Sequence, residues 1–120
     1  MSFEVVDGPL ERGAHVVEVR GEINLVTVAD VKASLEAAID AEAQWIILDL
    51  EDVGFVDSSG VGLLLATQRR LQAGGGTLIV VSPNPLVRNI FERCGIVSYV
   101  NVVDTRREAL TVAQSFTDTC

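Results

Sequence analysis

Cysteine and histidine are scarce in this chain, and their scarcity excludes several kinds of site. The 120 residues include two cysteines, Cys94 and Cys120, and one histidine, His15. A disulfide framework or a zinc site needs more of these residues at short spacings. A catalytic serine–histidine pair would depend on His15 alone, which lies in a strand pattern and is interpreted as structural. The sequence therefore predicts no metal site and no cofactor.

Positive charge is also in short supply. Nine basic side chains stand against 17 acidic ones, which gives a formal net charge of −8. Such a surface repels a nucleic-acid backbone or an anionic membrane. The basic pairs Arg69-Arg70 and Arg106-Arg107 are too small to reverse this. We expect a protein partner, and neither nucleic acid nor a membrane.

Long apolar runs are absent as well. The longest weakly polar stretch, residues 53–68, is interrupted by Asp57 and is too short to span a bilayer. The first residues show no basic segment followed by an apolar run, so a secretory signal is not predicted and a cytoplasmic location is expected. A chain of this length fits one hydrophobic core, and residues 1–120 are predicted to form a single domain.

What the sequence does contain is a regular alternation of two periods. Period-two or continuous apolar patterns predict five strands, at residues 3–6, 15–20, 45–50, 77–81 and 99–103. Period-3.6 patterns predict four helices, at about residues 26–41, from Ser58 or Ser59 to about residue 73, after Pro85, and after Asp104 or Thr105. The first two strands form a hairpin across Gly8-Pro9. The alternation predicts an α/β fold with a mixed, mostly parallel sheet.

The turn Asp57-Ser58-Ser59-Gly60 lies between a buried strand and a helix. Asp and Ser are favoured helix caps, so a purely structural cap is the simplest interpretation. The free N–H groups of the helix start also suit an anionic oxygen, and two hydroxyls are present where one cap would suffice. The turn lacks the glycine spacing of a hydrolase nucleophile elbow, so a small serine-dependent hydrolase is only a remote alternative.

The helix that follows this turn has an unusual outward side. Helical spacing places Gly62, Leu63 and Ala66 outward, beside Arg69 and Arg70. An outward strip of small and apolar residues with flanking arginines is suited to docking a protein. Scattered apolar surface residues are also common, which is the alternative.

Three segments carry a family resemblance. Residues 48–62, which read LDLEDVGFVDSSGVG, resemble the signature of the STAS-domain anti-sigma factor antagonists. Residues 21–24 stand where that family has a Gly-Glu-Leu-Asp turn, and residues 82–88 with 94–96 resemble its later loop and helix. The resemblance covers nearly the whole chain, and its central string is the most specific part.

The resemblance implies a STAS-like fold and a regulatory role, not an enzyme, in bacterial transcription during stress or sporulation. Family members bind an anti-sigma factor that is also a serine kinase, and so release a sigma factor. The kinase phosphorylates the turn serine, which ends binding until a serine phosphatase restores it. By position that serine is Ser58, with Ser59 the second candidate. The implied partner-binding residues are Asn24, Asp57, Ser58, Ser59, Gly60, Gly62, Leu63 and Ala66.

One position departs from the family. Asn24 stands where the family has an aspartate, in the region linked to phosphorylation and partner contact. Asparagine keeps the shape and the hydrogen bonding but loses the charge. This leaves open an alternative, a STAS adaptor that binds a partner without being phosphorylated.

Overall fold

The computed structural model describes residues 3–11 and 14–118. Its elements alternate along the chain as the sequence predicts. The strands are β1 (Glu4–Glu11), β2 (Ala14–Ile23), β3 (Trp45–Val56), β4 (Thr77–Val81) and β5 (Asn101–Val103). The helices are α1 (Val28–Asp40), α2 (Ser58–Ala73), α3 (Pro85–Arg93) and α4 (Arg106–Asp118), with a 3₁₀ turn at Ile96–Ser98.

All five strands form one mixed sheet in the order β1-β2-β3-β4-β5. β1 is antiparallel to β2, whereas β2, β3, β4 and β5 are parallel to one another. β3 therefore lies at the centre, which explains why residues 46–50 are all buried and read as a continuous apolar run. The predicted fold class is confirmed.

The predicted position of the first turn is wrong. β1 continues to Glu11, which pairs with Ala14, so Gly8 and Pro9 lie inside the strand at a register shift between Asp7 and Leu10. An edge strand tolerates proline at such an irregularity because one row of its N–H groups needs no ladder partner. Gly8 also fits there because a Cβ would stand 2.9 Å from the Val16 carbonyl oxygen.

Helices cover both faces of the sheet. One core cluster joins α1, α2 and α3 to the face that carries Leu48 and Val80. A smaller cluster packs Ala109, Leu110 and Ala113 of α4 on the opposite face. Phe116, which the helical pattern places in the core, and Cys120 lie outside the residues whose side chains are described.

An ion-pair network holds the start of α4 against the sheet. Arg106 donates from Nε and Nη2 to Asp49 Oδ2, at 3.1 and 2.8 Å, and also to Glu18. Asp49 is buried, so this pairing satisfies a charge that would otherwise be costly inside the protein. Arg106, one of the basic pair Arg106-Arg107, therefore has a structural role.

The C-terminal third differs from its pattern at three positions. The apolar pattern after Pro85 predicts a buried face made of Leu86, Val87, Ile90, Phe91 and Cys94. Val87 and Phe91 are buried, whereas Leu86 and Cys94 are exposed. Tyr99 precedes β5 and is 71% exposed. A nine-residue helix buries a narrow stripe, so its flanking apolar positions stay in water.

Gln68 fixes α2 to the sheet. Thr77 N donates to Gln44 O, towards β3, so the N–H of the next residue, Leu78, points to the β5 side. β5 begins its pairing with β4 only at Ile79. The Gln68 side-chain oxygen accepts the Leu78 N–H at 2.7 Å and so replaces the missing strand.

The substitution Gln68→Leu tests this anchor. It leaves the buried Leu78 N–H without an acceptor, so we expect a loss of about 1–3 kcal/mol in the free energy of unfolding, measured by urea denaturation. Gln72→Leu, on the exposed side of the same helix, is the control and should change it by less than about 0.5 kcal/mol. Equal effects of the two variants would contradict the anchoring role.

Candidate functional site

Asp57 forms the N-terminal cap of α2, which begins at Ser58 as predicted. Its Oδ1 accepts hydrogen bonds from the N–H groups of Ser59, at 2.9 Å, and Gly60, at 3.3 Å. Its own N–H donates to the Ile23 carbonyl, at 3.0 Å. The cap therefore joins the end of β3 both to α2 and to the end of β2.

This cap changes the expectation that α2 presents free N–H groups to an anion. The N–H groups of Ser59 and Gly60 are held by the Asp57 carboxylate, and that of Val61 donates to the Asp57 carbonyl at 3.1 Å. The anion at the positive end of this helix is thus the protein's own carboxylate. A second anion at Ser58 would lie beside it.

The two serines of the turn are in different states. The Ser59 side chain is half-buried, and its hydroxyl donates to Asp57 Oδ1. Ser58 is exposed, and its hydroxyl makes no hydrogen bond to any described residue. Ser58 is therefore the more accessible hydroxyl.

The pKa of Asp57 lies below its ordinary value of 3.8. The Ser59 hydroxyl is the largest cause; the N–H groups of Gly60, Ser59 and Leu25 add to it, and desolvation opposes it. A depressed carboxyl pKa stabilises the fold above the ordinary pKa, and that contribution is lost as the pH falls through the folded-state value. Near neutral pH the cap is ionised.

Asn24 organises the loop between β2 and α1. Its Oδ1 accepts from Val26 N at 2.9 Å and from Thr27 N at 3.1 Å, and its own N–H donates to Thr27 Oγ1 at 2.9 Å. Thr27 Oγ1 in turn donates to the Glu22 carbonyl at 2.8 Å. These contacts use the side-chain oxygen of Asn24 as an acceptor, a role that a carboxylate also fills.

The loop and the serine turn are directly connected. Asp57 Oδ2 accepts the N–H of Leu25 at 3.1 Å, across 32 residues of sequence. Leu25 and the adjacent Val26 are 79% and 85% exposed. Sequence reasoning missed this pair, although two aliphatic residues between a strand end and a helix start, outside the core periodicity, were a usable signal.

The structure places two of the three predicted strip residues of α2 outward, and the third only in part. Gly62 and Ala66 are exposed, whereas Leu63 is half-buried and packs against the core. Leu63 and Ala66 border a groove between α1 and α2. Gly60 is buried beneath the turn, so it supports the turn and is not itself exposed to a partner.

Arg69 and Arg70 extend this strip. Both are exposed, and neither forms an ion pair with a described residue. They remain available to a partner.

His15 lies far from the turn serines. It stands near the start of β2, and the serine turn adjoins Ile23 at the other end, eight residues or roughly 26 Å along the strand. The structure thus does not place the histidine beside Ser58. Within residues 3–11 and 14–118 there is no group of three or more histidine, cysteine or acidic residues arranged to hold a metal.

No helix in the described part of the chain is long and apolar enough to cross a membrane. The most apolar strands are interior strands of the sheet, where helices cover them.

Comparison with known proteins identifies the family of the chain. The model of the STAS domain matches residues 7–109. An anti-sigma F factor antagonist of Lysinibacillus sphaericus is 38% identical over 82 residues, 68% of this chain and 70% of that protein. The chain belongs to the STAS-domain family of anti-sigma factor antagonists.

Solved structures show the same fold. A crystal structure of an anti-sigma factor antagonist from Mycobacterium paratuberculosis has a TM-score of 0.86 and 27% identity, and covers 94% of this chain and 95% of its own. The phosphorylated form of the Bacillus cell fate determinant SpoIIAA has a TM-score of 0.67 and 32% identity, with coverage of 92% and 97%.

Substitution by alanine should change the free energy of unfolding in opposite directions at Gly60, in the turn, and at Gly62, in the strip. In Gly60→Ala the added Cβ would stand 2.6 Å from Val56 Cγ1 and 2.8 Å from Ile23 Cγ2, so we expect a loss of about 1–3 kcal/mol in the free energy of unfolding. In Gly62→Ala the Cβ meets nothing within 4 Å, and the better helix former should add about 0.5–1 kcal/mol. Urea denaturation measures both, and changes of the same sign would contradict the difference in packing.

Proposed function

We propose that this protein is a cytoplasmic anti-sigma factor antagonist switched by phosphorylation of Ser58. In its unmodified form it binds an anti-sigma factor with serine kinase activity, and the sigma factor is released. The kinase then phosphorylates Ser58, the complex dissociates, and a serine phosphatase restores binding. The observation that carries the proposal is the exposed Ser58 hydroxyl, which has no described hydrogen-bond partner and heads a helix with an outward docking strip.

The contrast between the serines supports Ser58 as the acceptor. A kinase must reach the hydroxyl and align it with the transferred phosphoryl group. The Ser59 hydroxyl is already donated to Asp57, so phosphorylating it would break part of the cap. Ser58 can be modified without losing a hydrogen bond seen in the structure.

The local charges explain how phosphorylation would end binding. A phosphate adds about −1.5 to −2 charges at neutral pH. Asp57, adjacent and ionised, already holds the helix N–H groups, so the phosphate has little compensation from α2. A partner packed on this turn would have to desolvate a poorly paired dianion. A hundredfold loss of affinity corresponds to only about 2.7 kcal/mol.

The relatives support the same conclusion. The Lysinibacillus protein is named as an antagonist of the anti-sigma F factor, and SpoIIAA is known in a phosphorylated form. The proposed partner surface contains Asn24, Gly62, Leu63 and Ala66 around the turn.

A phosphorylation-independent adaptor is the second candidate, and Asn24 favours it. Asn24 makes its loop contacts without a charge at the position where the family has a carboxylate. If a carboxylate there helps the kinase, this chain would bind a partner without being modified.

Intact-mass measurement decides between these two. After incubation with ATP and the anti-sigma kinase of the same genome that binds the chain, wild type should gain one phosphate, about 80 Da. Ser58→Ala should gain none. Ser59→Ala, the matched control, should still be modified at Ser58. An unmodified wild type, or equal modification of Ser58→Ala, would contradict the switch.

The charge itself should control affinity. Ser58→Asp should bind the same anti-sigma factor about 10- to 100-fold more weakly than wild type, measured by isothermal titration calorimetry, because it places a second carboxylate beside Asp57. Ser58→Asn, which is similar in size but uncharged, is the control and should lose less. Wild-type affinity in Ser58→Asp would favour the adaptor.

A further inference from the structure

The loop beside the serine turn exposes more apolar surface than the fold requires. Leu25 and Val26 are 79% and 85% exposed, the largest values among the large apolar residues that the structure describes. They are consecutive in sequence, and one hydrogen bond links Leu25 to the residue before Ser58. Apolar surface of this kind, next to a functional residue, is characteristic of an interface.

The pair is held in a fixed position. The N–H of Leu25 is bound by Asp57 Oδ2, and that of Val26 by Asn24 Oδ1 at 2.9 Å. Thr27 closes the loop through its hydrogen bonds to Asn24 and to the Glu22 carbonyl. Because the backbone of this loop is already ordered, the loop loses little conformational entropy when a partner covers its side chains.

The surroundings indicate the chemistry of that partner. Residues 21–31 and 53–62, which form the loop and the serine turn, contain three acidic residues and no lysine or arginine, whereas Arg69 and Arg70 lie farther along α2 at the end of the strip. Two of the acidic residues, Glu22 and Asp30, are exposed on either side of the apolar pair. A complementary surface therefore has an apolar pocket with basic residues at its rim.

We propose that Leu25 and Val26 are the apolar anchors of the partner interface, inserted into a basic-rimmed pocket of the anti-sigma factor. This inference rests on the proposed function and names the contact that supplies its affinity. Asp57 has a positioning role in it, since its two carboxylate oxygens fix the apolar pair and the serine turn relative to each other. Ser58 controls whether the interface closes, and the apolar pair determines how tightly it is held.

The double variant Leu25→Ser/Val26→Ser tests the proposal. Both side chains are mostly in water, so its melting temperature should stay near that of wild type. Its affinity for the anti-sigma factor that binds wild type should fall about 30- to 1000-fold, which corresponds to about 2–4 kcal/mol. Leu86→Ser, which changes an apolar residue that is 55% exposed in the first turn of α3, is the control and should bind normally.

The outcomes separate this inference from the proposed function. Wild-type affinity in the double variant, with Ser58 still phosphorylated, overturns the anchors and leaves the switch intact. Lost affinity in the double variant, with wild type unmodified by ATP, supports the anchors and removes the switch. If sedimentation shows that the double variant abolishes a wild-type dimer while anti-sigma binding is unchanged, the pair contacts a second copy and the proposal is wrong.

Discussion

The site depends on one residue, Asp57, whose carboxylate and backbone N–H together bind three segments of the chain. Asp57 uses Oδ1 to cap α2 and to hold the Ser59 hydroxyl, and it uses Oδ2 to hold the loop at Leu25. Its own N–H is bound to the end of β2. A single residue thus sets where α2 begins, which serine is left free, and where the neighbouring loop lies.

The topology explains why these segments meet. β2 and β3 are parallel neighbours, so the loop that leaves β2 and the turn that leaves β3 emerge at the same edge of the sheet. Gly60 allows the close approach, because its missing Cβ leaves room for Ile23 and Val56 directly beneath the turn. These buried residues support the exposed turn from beneath.

Local patterns predicted the four helices and the central strand, because apolar periodicity and helix punctuation are properties of short segments. Features that depend on contacts between residues far apart in the sequence were harder to predict from it. Nothing in the sequence around Gln68 indicates that it completes the bonding of β4, and the Gly8-Pro9 dipeptide favours a turn although the strand runs past it. Only part of the candidate site could be predicted from the sequence: Ser58 has a local signature, whereas the proposed role of Leu25 depends on a hydrogen bond across 32 residues.

The arrangement separates the stability of the fold from the proposed switch. The helix cap is made by Asp57 and supported by Ser59, and the Ser58 hydroxyl takes no part in it. A phosphate on Ser58 would find the N–H groups of Ser59 and Gly60 already bound by Asp57. In the proposed switch, its charge acts at the surface where the partner packs. A switch of this kind changes affinity without a second fold, and it can be reversed whenever the phosphate is removed.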